Sequence, residues 1–346
     1  MKLSNRGSTA LAAGIAVVAV VAAIVAGNVG SKATKLVSGS DPQTLALKPA
    51  AQGVPIPELG QASDWNNTPP LTSEKLKGKV LLIDFWDASC INCRRTFPFL
   101  RTLADTYKAA GLVVIGVHSP EFDFEKSNTY VKRTGAELGV TWPVANDPDM
   151  VIWNAFGNQY WPAQYLVDRA GKFRAGHVGE GGDVAIENAV RTLLDEGGSA
   201  GTRRTSDAAA TAQPSPDQNA AITPELYLGS ARQSQNPNVL RYSGHFDVAP
   251  EYRTFSAGAK VTLALTAREV YAVLAGAGTL TATLDGLPIP VSRRGPDVSE
   301  GPGGSTIVKV DKQDLFHILT GPAVRRGTLV LTGGAGVQVF TFTFGS

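Results

Sequence analysis

The chain has 346 residues, room for two domains, and its 43% hydrophobic and 18% charged residues describe a folded protein. A formal net charge of +2 offers no basic surplus for holding a nucleic acid. The 37 glycines and 21 prolines point to linkers and turn-rich β structure, and with only two cysteines there is no disulfide framework to staple a fold.

In chain order, Lys2 and Arg6 precede an uncharged stretch that runs to Lys32, and Ala10 to Gly27 within it is almost wholly apolar. That run is longer than a usual signal-peptide core and just reaches the length of a spanning helix. With the positive flank first, the N-terminus stays in the cytoplasm and the rest crosses. The expectation is a single transmembrane anchor over residues 1–30 in a bacterial cell membrane. The small residues at Val25-Ala26-Gly27 leave open cleavage and secretion instead. Both routes export everything from about residue 30 onward. Residues 31–54 show no periodicity and read as a tether.

Residues 55–196 read as an α/β domain. Lys79 to Trp86 is apolar apart from Asp84, as in a strand buried on both faces of a mainly parallel sheet. A helix follows, with Phe97, Leu100, Ala104 and Tyr107 at helical spacing and Pro98 placed to kink it. Leu112 to Val117 is a second buried strand, Phe124 to Leu138 a helix, Trp142 to Ala145 a short strand and Met150 to Phe156 a turn or two of helix. Ala163 to Val167 and Lys172 to Val178 form a hairpin, and Val184 to Leu194 is a closing helix. Strands alternating with helices give a three-layer sandwich.

Residues 197–221 lack aromatic and large aliphatic side chains and read as a disordered linker. In 222–346, strands are expected at Lys260 to Leu265, Glu269 to Leu274, Leu280 to Leu284, Ile289 to Ser292, Ser305 to Val310, Gly327 to Thr332 and Val337 to Phe344. This is the pattern of an all-β sandwich.

Both cysteines, Cys90 and Cys93, lie just after the first buried strand. A disulfide across so short a loop removes little entropy from the unfolded chain, so structure alone explains the pair badly. Half a zinc site needs further ligands, yet His118, His177, His245 and His317 form no paired motif. At a strand-to-helix junction Cys90 sits near a helix N-terminus, where unpaired N–H groups lower a thiol pKa. Cys93, one turn on, is placed to attack a mixed disulfide formed at Cys90, the division of labour that thiol–disulfide exchange needs. Asp84, on the strand leading into this turn, is a costly buried carboxylate suited to relaying a proton for the resolving thiol.

Phe85-Trp86, Cys90-x-x-Cys93 and Pro98 resemble the thioredoxin superfamily. More closely, D-F-W-D-A-S-C-I-N-C-R-R, G-V-H-S-P-E-F-D-F-E-K and G-N-Q-Y-W-P-A-Q-Y-L-V-D resemble the TlpA- and redoxin-like domain of DipZ-type proteins, which carry a β-sandwich after it. T-P-E-L-Y-L-G-S-A-R and the closing F-T-F-G match that appended domain more loosely. The resemblance implies a membrane-tethered, extracytoplasmic thiol–disulfide oxidoreductase with no cofactor beyond a Cys90–Cys93 disulfide. It implies a reductase of exported proteins, cytochrome c precursors among them, over a disulfide-forming oxidant. DipZ proteins carry a multi-span electron-transfer domain ahead of this region. With a single apolar segment in that place, the electrons are expected from a separate membrane protein of the CcdA or DsbD kind. Trp161-Pro162 then matches the cis-proline element, with the Trp161 backbone pairing to an extended substrate. Trp86 is expected to pack around the active turn and shield Asp84, and to join Trp161, Pro162 and Gly179 in binding substrate. Gly179 and Glu180 are expected near the substrate groove. His118 and Glu121, after the second strand, are candidates for supporting the thiols. Arg94 and Arg95 read as solvated helix residues that could also stabilise a Cys90 thiolate.

Two other functions fit the sequence less well. A thiol peroxidase needs Pro and Thr just ahead of its cysteine, and Asp87-Ala88-Ser89 supplies neither. An adaptor that binds carbohydrate or protein through the sandwich rests on fold analogy, because Tyr227, Tyr242, Tyr252, Tyr271 and Phe316 are too scattered to define a platform. The sandwich is expected to dock a partner whose identity the sequence does not give.

Overall fold

The computed structural model describes residues 44–196, 221–234, 236 and 238–346. The anchor expected over 1–30, most of the tether and nearly all of the 197–221 linker lie outside them. Among the described residues no helix is long and apolar enough to cross a membrane. The chain divides into two units after Pro214.

A strand that is apolar on both faces must be covered on both, and this requirement organises the first unit. Its strands are β1 (Val54–Pro55), β2 (Asp64–Asn66), β3 (Val80–Trp86), β4 (Leu112–His118), β5 (Val144–Asn146), β6 (Ala163–Val167) and β7 (Lys172–Val178). They form one sheet in the order β1-β7-β6-β3-β4-β5-β2. The central β3 runs parallel to β4 and antiparallel to β6. The helices are α1 (Ser73–Leu76), α2 (Ile91–Tyr107), α3 (Asn128–Glu137), α4 (Val151–Phe156) and α5 (Asp183–Glu196). Side chains alternate across the pleat of β3. Val80, Leu82 and Trp86 pack with Phe97 and Leu100 of α2 and Val190 and Leu193 of α5. Leu81, Ile83 and Phe85 pack with Ile152 and Phe156 of α4 and Leu76 of α1. The result is the expected three-layer α/β arrangement, and β3 delivers the chain to the first residue of α2.

Helix α2 carries Pro98 within an unbroken span from Ile91 to Tyr107. One local expectation needs correction. The single helix expected from Phe124 to Leu138 is instead a 3-10 turn, Asp123–Lys126, followed by extended Ser127 and then α3. The break has a physical cause: the Glu125 carboxylate accepts the N–H groups of Glu121 and Phe122, each at 3.0 Å, which winds this turn tightly.

The second unit is all-β. Its strands are β8 (Leu226–Tyr227), β9 (Leu240–Ser243), β10 (Phe246–Val248), β11 (Arg253–Phe255), β12 (Lys260–Ala267), β13 (Glu269–Ala275), β14 (Gly278–Leu284), β15 (Leu287–Pro288), β16 (Val298–Glu300), β17 (Thr306–Val310), β18 (Asp314–Leu319), β19 (Arg325–Gly333) and β20 (Gln338–Gly345). One sheet has the order β10-β11-β20-β13-β18 with β8 beside β20. The other has the order β16-β17-β14-β19-β12-β9 with β15 beside β14. Val261, Leu263, Ala272, Leu274, Leu331 and Phe342 belong to the core that both sheets share. The strand expected at Ile289 to Ser292 is absent. Pro288 and Pro290 cannot donate to a ladder, and Val291–Arg293 coils into a 3-10 turn instead. The expectation also missed β18, whose Leu315, Phe316, Ile318 and Leu319 are all buried.

Leu82 is fully buried beneath the strand that aims the site. Leu82→Ala is expected to cost about 2–5 kcal/mol, seen as a lower urea midpoint with an unchanged slope. A loss well below 1 kcal/mol would place Leu82 outside the core.

Candidate active site

The site begins where β3 ends. Asp87, Ala88 and Ser89 form the turn, and Cys90 is the N-cap of α2. The Cys90 Sγ accepts the Cys93 N–H at 3.4 Å, so the sulfur occupies the position usually taken by a capping oxygen. Both thiols are free. Cys90 is half-buried and Cys93, one turn along, is fully buried. One thiol can be reached and its partner is held beneath it.

The electrostatics differ from the sequence expectation. A lowered Cys90 pKa was expected from its place at the helix N-terminus. A hydrogen bond from the Cys93 thiol does act in that direction. Burial and the nearby carboxylates of Asp87 and Glu121 act against it, and the net displacement is upward. Cys93 is pushed up strongly, by burial first and then by Cys90 and Asp84.

Asp84 is fully buried on the face of β3 that carries Trp86, and its charge opposes ionisation of Cys93. Gln164, directly opposite on β6, donates from Nε2 to Asp84 Oδ1 at 2.8 Å, while Oδ2 has no donor. Burial outweighs that single hydrogen bond and pushes Asp84 up to about 7. A group poised there can accept or release a proton at neutral pH.

The other expected residues fall into distinct places. The Trp161-Pro162 bond is cis. Trp161 donates its Nε1–H to the Ser119 carbonyl at 2.9 Å and packs at a tilt against Trp153, with ring centroids 4.3 Å apart. The Gly179 N–H donates to the Pro162 carbonyl at 2.9 Å from a backbone with φ of 88°, which a side chain would strain. Pro162 and Gly179 are therefore tied together. Trp86 is fully buried between Phe97 and His118, with ring centroids at 5.3 and 4.8 Å, so it packs and cannot touch a substrate. That corrects its expected place in the substrate groove. His118 is also fully buried, and burial holds its imidazole down at about 3, hence neutral. Glu180 pairs with Arg95 at 3.3 Å, linking the loop after β7 to the first turn of α2. Arg94 donates from Nε to the Ala88 carbonyl at 2.8 Å, bracing the turn. Neither arginine is a merely solvated residue.

Sequence reasoning missed Asp87, Ser89, Glu125 and Gln164, all buried. A buried glutamine in the apolar run A-Q-Y-L-V was the available signal for Gln164. Asp87 and Glu125 looked like turn and surface acids.

The Redoxin family model matches residues 51–193, and the model described as a thioredoxin like C-terminal domain matches 230–345. The protein DipZ of Mycobacterium tuberculosis is 33% identical over 319 residues, covering 84% of this chain and 42% of that relative. The chain therefore spans under half the length of that relative. The thiol-disulfide oxidoreductase YkuV of Bacillus subtilis is 35% identical over 143 residues, covering 41% of this chain and 95% of YkuV. The thiol-disulfide oxidoreductase ResA of Bacillus thuringiensis is 28% identical over 118 residues, covering 34% of this chain and 65% of ResA.

The raised Asp84 carries a pH signature. Its folded pKa lies above its unfolded one, so its contribution is fully present below about pH 4 and is lost as pH rises through about 7. In the reduced chain, Asp84→Asn removes that loss. The variant is expected to match the wild type at pH 4 and exceed it at pH 8 by up to about 4 kcal/mol, measured by urea denaturation. Equal pH slopes would mean that Asp84 is already ionised in the fold under acid conditions.

Proposed function

This chain belongs to the redoxin family of thioredoxin-like thiol–disulfide oxidoreductases, and from that membership we propose that it reduces disulfides of exported proteins by dithiol exchange at Cys90 and Cys93. The single observation that carries the reading is the pairing of a reachable Cys90 with a sealed Cys93 one turn along, at the end of the strand that carries the buried Asp84. The Cys90 thiolate attacks a substrate disulfide, forming a mixed disulfide and releasing one substrate thiolate. Cys93 then gives up its proton toward Asp84 and attacks Cys90 Sγ. The Cys90–Cys93 disulfide forms and the second substrate thiolate leaves. Two electrons pass from the dithiol to the substrate.

The carboxyls around the turn favour reduction as the direction. An oxidant of this kind owes its potential to a stabilised thiolate, which stabilises the reduced form. Here Asp87 and Glu121 oppose a Cys90 thiolate and so deny it that stabilisation. The substrate segment lies along Trp161 and Pro162 as an added strand. The apolar N-terminal run holds the chain to the membrane with its domains outside. A CcdA- or DsbD-like membrane protein returns the dithiol to its reduced state, and the β-sandwich docks a partner.

With the full chain, insulin reduction is expected to vanish in Cys90→Ser, while Cys93→Ser accumulates a mixed disulfide at Cys90. Activity retained in Cys90→Ser would sink the exchange reading. The direction has its own check. A Cys90–Cys93 reduction potential near about −270 mV, thioredoxin's value, supports a reductase; one near about −120 mV reverses the assignment.

A further inference from the structure

Asp147, the residue after β5, is buried and accepts three hydrogen bonds. Its Oδ1 takes the Ile152 N–H at 3.0 Å, and its Oδ2 takes the Trp153 N–H at 2.8 Å and the Ser119 hydroxyl at 3.2 Å. Met150, the N-cap of α4, makes no side-chain bond to the helix, and the Asp147 carboxylate satisfies those first N–H groups instead. A cap alone would need only the two amides. The third bond carries the same carboxylate across to buried Ser119, just beyond β4. Trp161 docks against both places. Its indole N–H reaches the Ser119 carbonyl at 2.9 Å, and its ring centroid lies 4.3 Å from that of Trp153. The loop joining the two tryptophans is tied to Trp153 as well: the Asn158 N–H donates to the Trp153 carbonyl and its Nδ2 to the Tyr160 carbonyl, each at 3.0 Å. An indole has one donor and no acceptor, so the Ser119 carbonyl selects which edge of the Trp161 ring turns inward.

We propose that Asp147 is a positioning residue for substrate capture: it holds the Ser119 carbonyl and the Trp153 ring between which the Trp161 indole is clamped, and so sets the backbone edge ahead of the cis Pro162. An added strand pairs through main-chain groups, and an edge that shifts out of place loses that pairing. The three bonds of Asp147 lead to Ser119 and α4. It therefore acts on the binding of an extended protein segment and leaves the reactivity of Cys90 alone. The inference deepens the exchange reading above and rests on Trp161 as the edge that the substrate joins.

Two measurements on the full chain test it. The first is dithiothreitol-driven insulin reduction, with iodoacetamide labelling of Cys90 beside it. Asp147→Asn offers one acceptor oxygen where the carboxylate has two, so it cannot serve both the helix and Ser119. Its KM for insulin is expected to rise roughly tenfold with kcat nearly unchanged and Cys90 labelled at the wild-type rate. Trp161→Phe keeps a ring and loses the N–H; it is expected to raise KM too, and the double variant to add nothing beyond the larger single effect. Effects that multiply in the double variant, or a loss in Asp147→Asn that falls on kcat alone, overturn the proposal. The second measurement is solvent exchange of the Trp161 indole N–H by NMR, expected to be slow in the wild type and at least about tenfold faster in Asp147→Asn. Unchanged exchange overturns the proposal. If Asp147→Asn fails to fold, Ser119→Ala removes only the hydroxyl and is expected to show the same two changes; neither change in it overturns the proposal. An indole N–H that these variants release, in a chain inert toward insulin, refutes the exchange reading and leaves the clamp standing.

Discussion

Everything at this site follows from a sulfur atom capping a helix. The Cys90 Sγ accepts the Cys93 N–H, so one contact ends the turn, starts α2 and fixes the two thiols relative to each other. Side chains one turn apart lie on the same side of a helix, and the side that faces β3 is the buried one. Cys93 is thus sealed by the same packing of Phe97 and Leu100 that holds α2 to the sheet. The separation into an accessible and a hidden thiol is a consequence of helix geometry on a sheet covered on both faces.

Several acids converge on that cap. Helix N-termini favour anions, and a cysteine there is ordinarily an activated one. In this chain the acids crowd the same end: Asp87 in the turn, Glu121 and Glu125 on the loop after β4, and Asp84 on β3. Of the two arginines that follow the cysteines, Arg94 donates to the Ala88 carbonyl and Arg95 pairs with Glu180. Burial and acidic neighbours outweigh the helix terminus, and the thiol stays protonated.

The fold was largely legible because its signals are local. Continuous apolar runs marked β3 and β4, helical spacing marked α2, and alternation with glycine turns marked most of the sandwich. What was missed depends on partners distant in sequence. Glu125 reads as one more acid on an amphipathic helix until the fold sets it against Ser89, far earlier in the chain. Gln164 gains meaning only from its register opposite Asp84. Trp86 illustrates the opposite error: proximity in sequence to the cysteines suggested substrate contact, but the pleat points it into the core. The pKa of Cys90 was misjudged for the same reason, since the helix terminus is visible in sequence and the acids converging on it are not.

The concealment of Cys93 also bears on oxidative damage. A peroxide arriving from solvent meets Cys90 first, because the second sulfur is out of reach. The sulfenic acid formed there has a hydrogen-bonded thiol at hand; condensation expels water and gives the intramolecular disulfide. That product is an ordinary resting form of the couple, which a reductant restores. The geometry that divides attacker from resolver thereby also keeps the exposed sulfur from the irreversible sulfinic and sulfonic states.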